Sequence, residues 1–97
     1  MTSFVFRILT PAGPALRAQV EEVVVRTPVG ALGILANHQP MQAVVTAGVA
    51  RVLRAGKWEE YATGDGLLAV GRDGATLLAS RAVPSVTAKT PASEAQK

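Results

Sequence analysis

Thr27-Pro28-Val29-Gly30-Ala31-Leu32-Gly33-Ile34-Leu35-Ala36-Asn37-His38-Gln39-Pro40 is the stretch on which the fold of this 97-residue chain turns. Two glycines, Gly30 and Gly33, stand three apart, and glycine reaches positive φ without a steric penalty. The spacing predicts a loop that bends sharply or approaches another surface, with Gly33 at positive φ or in close contact. Leu32, Ile34 and Leu35 are apolar enough that the bend is expected to be pinned by burial. Asn37-His38-Gln39-Pro40 reads as a further turn, because Asn tolerates the left-handed region and Pro40 pushes Gln39 towards extended geometry. The stretch is not a phosphate cradle: neither a Gly-Lys-Ser/Thr continuation nor a third spaced glycine opening a helix follows it.

On either side the chain reads as short strands. Phe4–Leu9 has the aromatic and β-branched richness of a strand, with Phe4, Phe6 and Ile8 on one face. Pro11–Pro14 is a turn, Leu16–Gln19 a brief pairing segment, and Val20–Arg26 a second strand. Beyond the loop, strands are expected at Gln42–Thr46, Val49–Arg54, Lys57–Ala62, Leu67–Val70 and Ala75–Ala79. A hairpin is expected about Ala55-Gly56, and Asp73-Gly74 is read as a tight primed turn. Strands of four to seven residues with turn signals about every ten indicate an all-β sandwich or barrel.

Composition narrows the function. Apolar residues make up 48% and aromatics only 4%, so the apolar content is Val, Ala and Leu, suited to packed sheets and not to stacking bases. The net charge is +3, yet the basic residues from Arg7 to Arg81 are scattered singly, whereas a phosphate-tracking face needs several together. There is no cysteine and one histidine, His38, which excludes disulfides and an ordinary zinc site. Asp65 and Asp73 sit in Gly-rich turns where Asp is expected for backbone reasons, so no catalytic set is assigned. Glu21-Glu22 and the Trp58/Tyr61 pair each point to opposite strand faces. No apolar run approaches the ~18 residues of a membrane span, and no signal-type segment opens the chain. The expectation is a soluble, untargeted protein whose surplus Val, Leu and Ala form a partner patch on an outer sheet face.

The loop motif Gly30-x-Leu32-Gly33-Ile34 followed by His38-x-Pro40 resembles that of the epsilon subunit of the F-type ATP synthase, in its N-terminal domain. The likeness extends over Phe4–Pro11, Val20–Thr27, Ala47-Gly48-Val49-x-Arg51-Val52 and Gly66-Leu67-Leu68-x-Val70, roughly the first eighty residues in one register. It implies a flattened β-sandwich of about ten short strands over residues 1–83, with a flexible tail at 84–97. It also implies a non-catalytic rotor subunit without cofactor, metal or nucleotide. Such a subunit docks on the gamma subunit and the c ring to couple ion translocation to ATP synthesis, at the cytoplasmic face of the bacterial inner membrane and without inserting into it. The partner-binding residues carried over are Gly30, Ala31, Leu32, Gly33, Ile34, His38 and Pro40. Ala31 departs from the pattern, since many members carry Glu there. The family's nucleotide motif lies in a C-terminal two-helix hairpin, for which the residues after Val83 offer no apolar stripe. The competing reading is a small basic β-barrel binding single-stranded nucleic acid; a small hydrolase is disfavoured by the lack of any nucleophile–base pair.

Overall fold

Alternation of apolar and polar residues is the local cause of the architecture, because a strand sends successive side chains to opposite faces. In the computed structural model, which describes residues 2–85, this alternation builds ten strands. They are β1 (Phe4–Thr10), β2 (Gly13–Val20), β3 (Glu22–Thr27), β4 (Gly30–Leu35), β5 (Met41–Val45), β6 (Gly48–Arg54), β7 (Lys57–Thr63), β8 (Gly66–Val70), β9 (Gly74–Ala79) and β10 (Ala82–Pro84). They form two five-stranded sheets, ordered β2-β1-β9-β8-β5 and β10-β7-β6-β3-β4. Every pairing is antiparallel except β1 with β9. The sheets face each other over one core: Phe6, Ile8 and Leu77 from the first sheet meet Val23, Val52 and Ile34 from the second, each essentially without exposure. The all-β sandwich expected from the sequence is therefore the fold.

Three expectations are corrected. The segment Thr27–Pro40 is not one loop: Gly30–Leu35 is strand β4, paired residue for residue with β3 from Thr27↔Gly30 to Glu22↔Leu35. The glycines obscured its alternation, in which Leu32 and Ile34 face inwards while Ala31, Gly33 and Leu35 face out. Gly33 accordingly has ordinary strand geometry, and a Cβ there would meet only Glu22 Oε2 at 3.6 Å. Second, Val20–Arg26 is two strands. Val20 and Val23 are both buried although three apart, which one straight strand forbids. A bend at Glu21, whose amide donates to Leu53 O at 2.7 Å, carries the chain from one sheet to the other. Third, Asp73-Gly74 is not a primed turn, since neither Arg72 nor Asp73 has positive φ. Gly74 is needed instead because a side chain there would run into Val5 O of β1. The hairpin about Ala55-Gly56 does have the primed turn, with φ of 53° and 79°.

Turn chemistry sets the two hairpins that open the fold, and it is the same in both. In Thr10-Pro11-Ala12-Gly13 and Thr27-Pro28-Val29-Gly30 the Thr hydroxyl donates to the Gly carbonyl, at 2.9 and 2.7 Å. The same hydroxyl accepts the amide two residues on, at 3.2 Å in each case. Gly13 and Gly30 carry φ of 126° and 122°, a region that side chains rarely enter. Ser85 N donates to Glu60 O just past β10. The tail expected at 84–97 lies, from residue 86 on, outside the described residues.

Candidate interaction surface

The residues named from the loop motif separate into two groups. Leu32 and Ile34 turn into the sandwich, Ile34 completely, so their part is to hold β4 on the core. Gly30, Ala31 and Gly33 lie exposed along β4, the outermost strand of its sheet. Past β4, Asn37 takes the left-handed conformation at φ 68° and turns the chain. His38 N donates to Leu35 O at 3.2 Å, and His38 Nδ1 lies 2.8 Å from Gln39 O. A carbonyl only accepts, so Nδ1 is the donor in this contact. Pro40, exposed, leads into β5. The fold thus brings the exposed side of β4 and the His38–Pro40 turn onto one edge of the molecule.

Of two apolar neighbours of this motif, Val29 went unremarked in the sequence, and Leu35 was expected to be buried with Leu32 and Ile34, which its outward parity on β4 overturns. Val29, at the tip of the β3–β4 turn, is 96% exposed, and Leu35, at the far end of β4, is 57% exposed. The signal for Val29 was present: a large apolar residue between Pro and Gly in a turn has no core to enter. Leu35 could be found only once β4 was recognised as a strand, since its parity sets it outwards.

Behind β4, the outer face of the same sheet has a shallow depression of ≈ 360 Å³ lined by Val24, Arg26, Ala31, Val49, Arg51 and Glu60. Gly33 stands opposite Val24, so no side chain fills the trough there. Arg51 is held over the Trp58 ring at 5.3 Å and faces Glu60 at 3.8 Å, while its Nε is buried without a hydrogen-bond partner. At the inner margin of the sheet Arg54 Nη2 donates to both Glu59 oxygens at 2.9 and 3.0 Å. Tyr61 OH donates to Glu59 at 3.5 Å. Burial, and after it the Glu59 carboxylate, hold the Tyr61 phenol above its ordinary pKa. These pairs are local to the sheet. Among the described residues no three His, Cys, Asp or Glu side chains are grouped so as to hold a metal ion, and Asp65 is used in capping Ala47 N at 2.7 Å.

A nucleic-acid platform finds no support in the geometry. Phe6 and Tyr61 are buried and Phe4 packs against the core, leaving Trp58 as the one aromatic with substantial exposure. The two sheets are separate and open-edged and do not close into the barrel of that alternative reading.

Comparison with known proteins agrees with this picture. The family model described as the ATP synthase delta/epsilon chain β-sandwich domain matches residues 3–85. The ATP synthase epsilon chain of Caldicellulosiruptor bescii is 40% identical over 78 residues, which is 80% of this chain and 57% of that protein. That of Bacillus pumilus is 42% identical over 78 residues, covering 80% of this chain and 60% of its own length. The chain thus spans less than two thirds of the length of the curated relatives it matches. Among solved structures, a chain of the Euglena gracilis mitochondrial ATP synthase superposes with a TM-score of 0.80 at 23% identity, over 87% of this chain and 54% of its own. A chain from the central stalk and c ring of the Tetrahymena thermophila mitochondrial enzyme does so at 0.70 and 11% identity, over 98% and 90%. These structural likenesses speak to the fold; the family model and the sequence relatives carry the conclusion that the chain belongs to the ATP synthase delta/epsilon β-sandwich family.

Proposed function

We propose that this chain is a non-catalytic subunit of the central stalk, or rotor, of an F-type ATP synthase. It docks on the gamma subunit and on the loops of the c ring, peripherally at the cytoplasmic face of the bacterial membrane, and helps couple ion flow to ATP synthesis. The observation that carries the reading is the family match across the whole described sandwich, residues 3–85. The fold supports it physically. Cross-strand hydrogen bonding through two sheets makes a stiff body, and stiffness is what a torque-bearing spacer needs. Large apolar side chains remain on its outside, among them Val29, Leu35, Val44 and Leu78, and such groups are suited to a permanent partner. The β4 edge and the His38–Pro40 turn form the ring-facing contact in this reading. With Ala31 and no acidic side chain on the exposed side of β4, that contact is apolar, backbone-mediated or made elsewhere on the surface.

Adding the purified chain to membranes whose ATP synthase has been stripped of its epsilon subunit tests the proposal. The expected result is recovery of ATP-driven ion pumping in step with ATP hydrolysis. A folded chain that neither binds nor restores pumping overturns the reading. So does ATP hydrolysis by the isolated chain that disappears in His38→Ala.

A further inference from the structure

Each sheet ends on two edge strands, β2 and β5 in one and β10 and β4 in the other. An edge offers unpaired backbone groups to any extended chain, and proteins blunt it with charge, proline, shortness or a tie to neighbouring structure. Three of these edges are blunted. β2 carries Pro14 and Arg17, and β10 is three residues long and ends on Pro84. Just past β5, Thr46 N donates to Arg26 O of the opposite sheet. The fourth edge, β4, reads Gly30-Ala31-Leu32-Gly33-Ile34-Leu35 and has neither charge nor proline.

Strand parity identifies the free groups of β4. The Arg26 carbonyl is taken by Thr46 N, so it points away from β4. Successive residues of a strand direct their N–H and C=O to alternate sides. Val23, Val25 and Thr27 therefore bond to β4, through their register partners Ile34, Leu32 and Gly30. Ala31, Gly33 and Leu35 direct theirs to the open side. Leu35 O is used by His38 N. The N–H and C=O of Ala31 and Gly33 have no partner among the described residues.

The side chains around this edge match a copy of themselves. Antiparallel pairing of two β4 edges about a two-fold axis at Leu32 sets Ala31 opposite Gly33 of the second copy, where the two exchange hydrogen bonds. The same register brings Leu35, an exposed apolar residue, level with the still more exposed Val29 of the other copy. It also matches charge. Glu22 leans over Gly33, one carboxylate oxygen 3.6 Å from where a Cβ would stand. Arg26 is exposed and stands beside Ala31 in register. Neither has an ion-pair partner among the described residues. Across the paired edges, Arg26 of one copy lies two strand spacings, ~10 Å, from Gly33 of the other. An extended arginine side chain and the leaning carboxylate span that gap between them, and the two-fold axis makes the contact twice.

We propose that β4 is a homodimerisation edge. Two copies of the chain pair antiparallel through Ala31 and Gly33, joining their five-stranded sheets into one, with Glu22 of each facing Arg26 of the other. The interface is isologous, so it closes at two copies and does not propagate. An edge of six residues is small beside the ~1,200 Å² of stable interfaces, so pairing is concentration-dependent. The dimer is a form of the free chain and stands apart from the stalk reading, which gives the same edge to another partner. A chain seated in a stalk through β4 has no edge left to pair.

Sedimentation of the purified chain over a range of concentrations, with amide hydrogen exchange on the same samples, tests the assignment. The expected result is a monomer–dimer equilibrium in which the amides of Ala31 and Gly33 gain protection as the dimer fills. Gly33→Pro removes an N–H that faces away from β3, a place where an edge strand tolerates proline, and should abolish pairing. R26E sets two acids against each other and should weaken the dimer about tenfold at low salt. The swap E22R/R26E should restore it, which a merely structural role of either residue does not predict. Val83→Asp, on the opposite edge of the same sheet, should pair as wild type. Thermal unfolding of each variant confirms that it is folded. A wild-type chain that remains monomeric at the highest concentration overturns the proposal, whatever the fate of the stalk reading. So does a dimer that leaves the Ala31 and Gly33 amides unprotected, or one that Gly33→Pro and R26E leave intact. Loss of the dimer in Val83→Asp alone moves the contact to β10 and likewise overturns it.

Discussion

Glycines with similar sequence surroundings have unlike duties here, and substitution separates them. Gly33 has strand geometry, and a Cβ there would make only an ordinary contact with Glu22 Oε2 at 3.6 Å. Gly33→Val is expected to leave stability within ~0.5 kcal/mol of wild type, as for other exposed strand positions. It fills the trough opposite Val24, so weakened assembly with intact folding is the expected phenotype, read by thermal unfolding and by pull-down of the complex. Gly66 is the contrary case. A Cβ there would fall on Leu78 O of the neighbouring strand and reach Ala79 Cα at 2.9 Å. Gly66→Ala should destabilise the sandwich by about 2–3 kcal/mol, since backbone must move to admit it, and urea denaturation measures this directly. Tyr61 gives a pH signature. Its folded pKa is raised, so the fold favours the neutral phenol. That stability is fully present below the unfolded value of about 10 and is lost as pH rises through the higher folded value. Tyr61→Phe should remove this part of the alkaline loss while changing neutral-pH stability little, its hydrogen bond being long at 3.5 Å.

Among the connections, the β6–β7 hairpin holds an avoidable strain. Ala55 occupies φ 53°, where an L side chain is disfavoured by roughly 1–2 kcal/mol. Ala55→Asn or Ala55→Gly should therefore stabilise the protein by up to ~1 kcal/mol, both being at ease in a primed turn, and a raised unfolding midpoint is the readout. The paired Thr-Pro-x-Gly turns are the opposite case, since each Thr hydroxyl both donates and accepts. Thr27→Val should cost about 1 kcal/mol for these bonds and loosen the β3–β4 turn that presents Val29.

For the whole molecule, adhesion to partners is expected to be chiefly apolar. Exposed Leu and Val residues lie on both outer faces, and the strands of the sheet that carries Arg7 and Arg17 contain no Asp or Glu. Assembly with the stalk should consequently fall only a few-fold between low and moderate salt, because screening weakens exposed ion pairs and hardly touches apolar burial. A loss of several orders of magnitude in a salt titration would contradict this.

Alternation within Phe4–Leu9, Val49–Arg54 and Ala75–Ala79 was legible because a two-residue period depends on nothing outside the strand. The family motif of Gly30, Leu32, Gly33, Ile34, His38 and Pro40 was legible for the same reason: it is a local pattern. From these came the all-β sandwich and the lineage. What could not be read locally was which strand each segment pairs with. Gly30–Leu35 is a strand because β3 supplies its ladder, and Val20 parts from Val23 because the sheets on either side of Glu21 are different. Leu9, Leu78, Leu67 and Val44, distant in sequence, stand in one row because strand order brings them side by side, and β4 has a free edge because that order ends on it. Register is a property of the closed hydrogen-bond network, so the surface it creates exists only once the chain has folded.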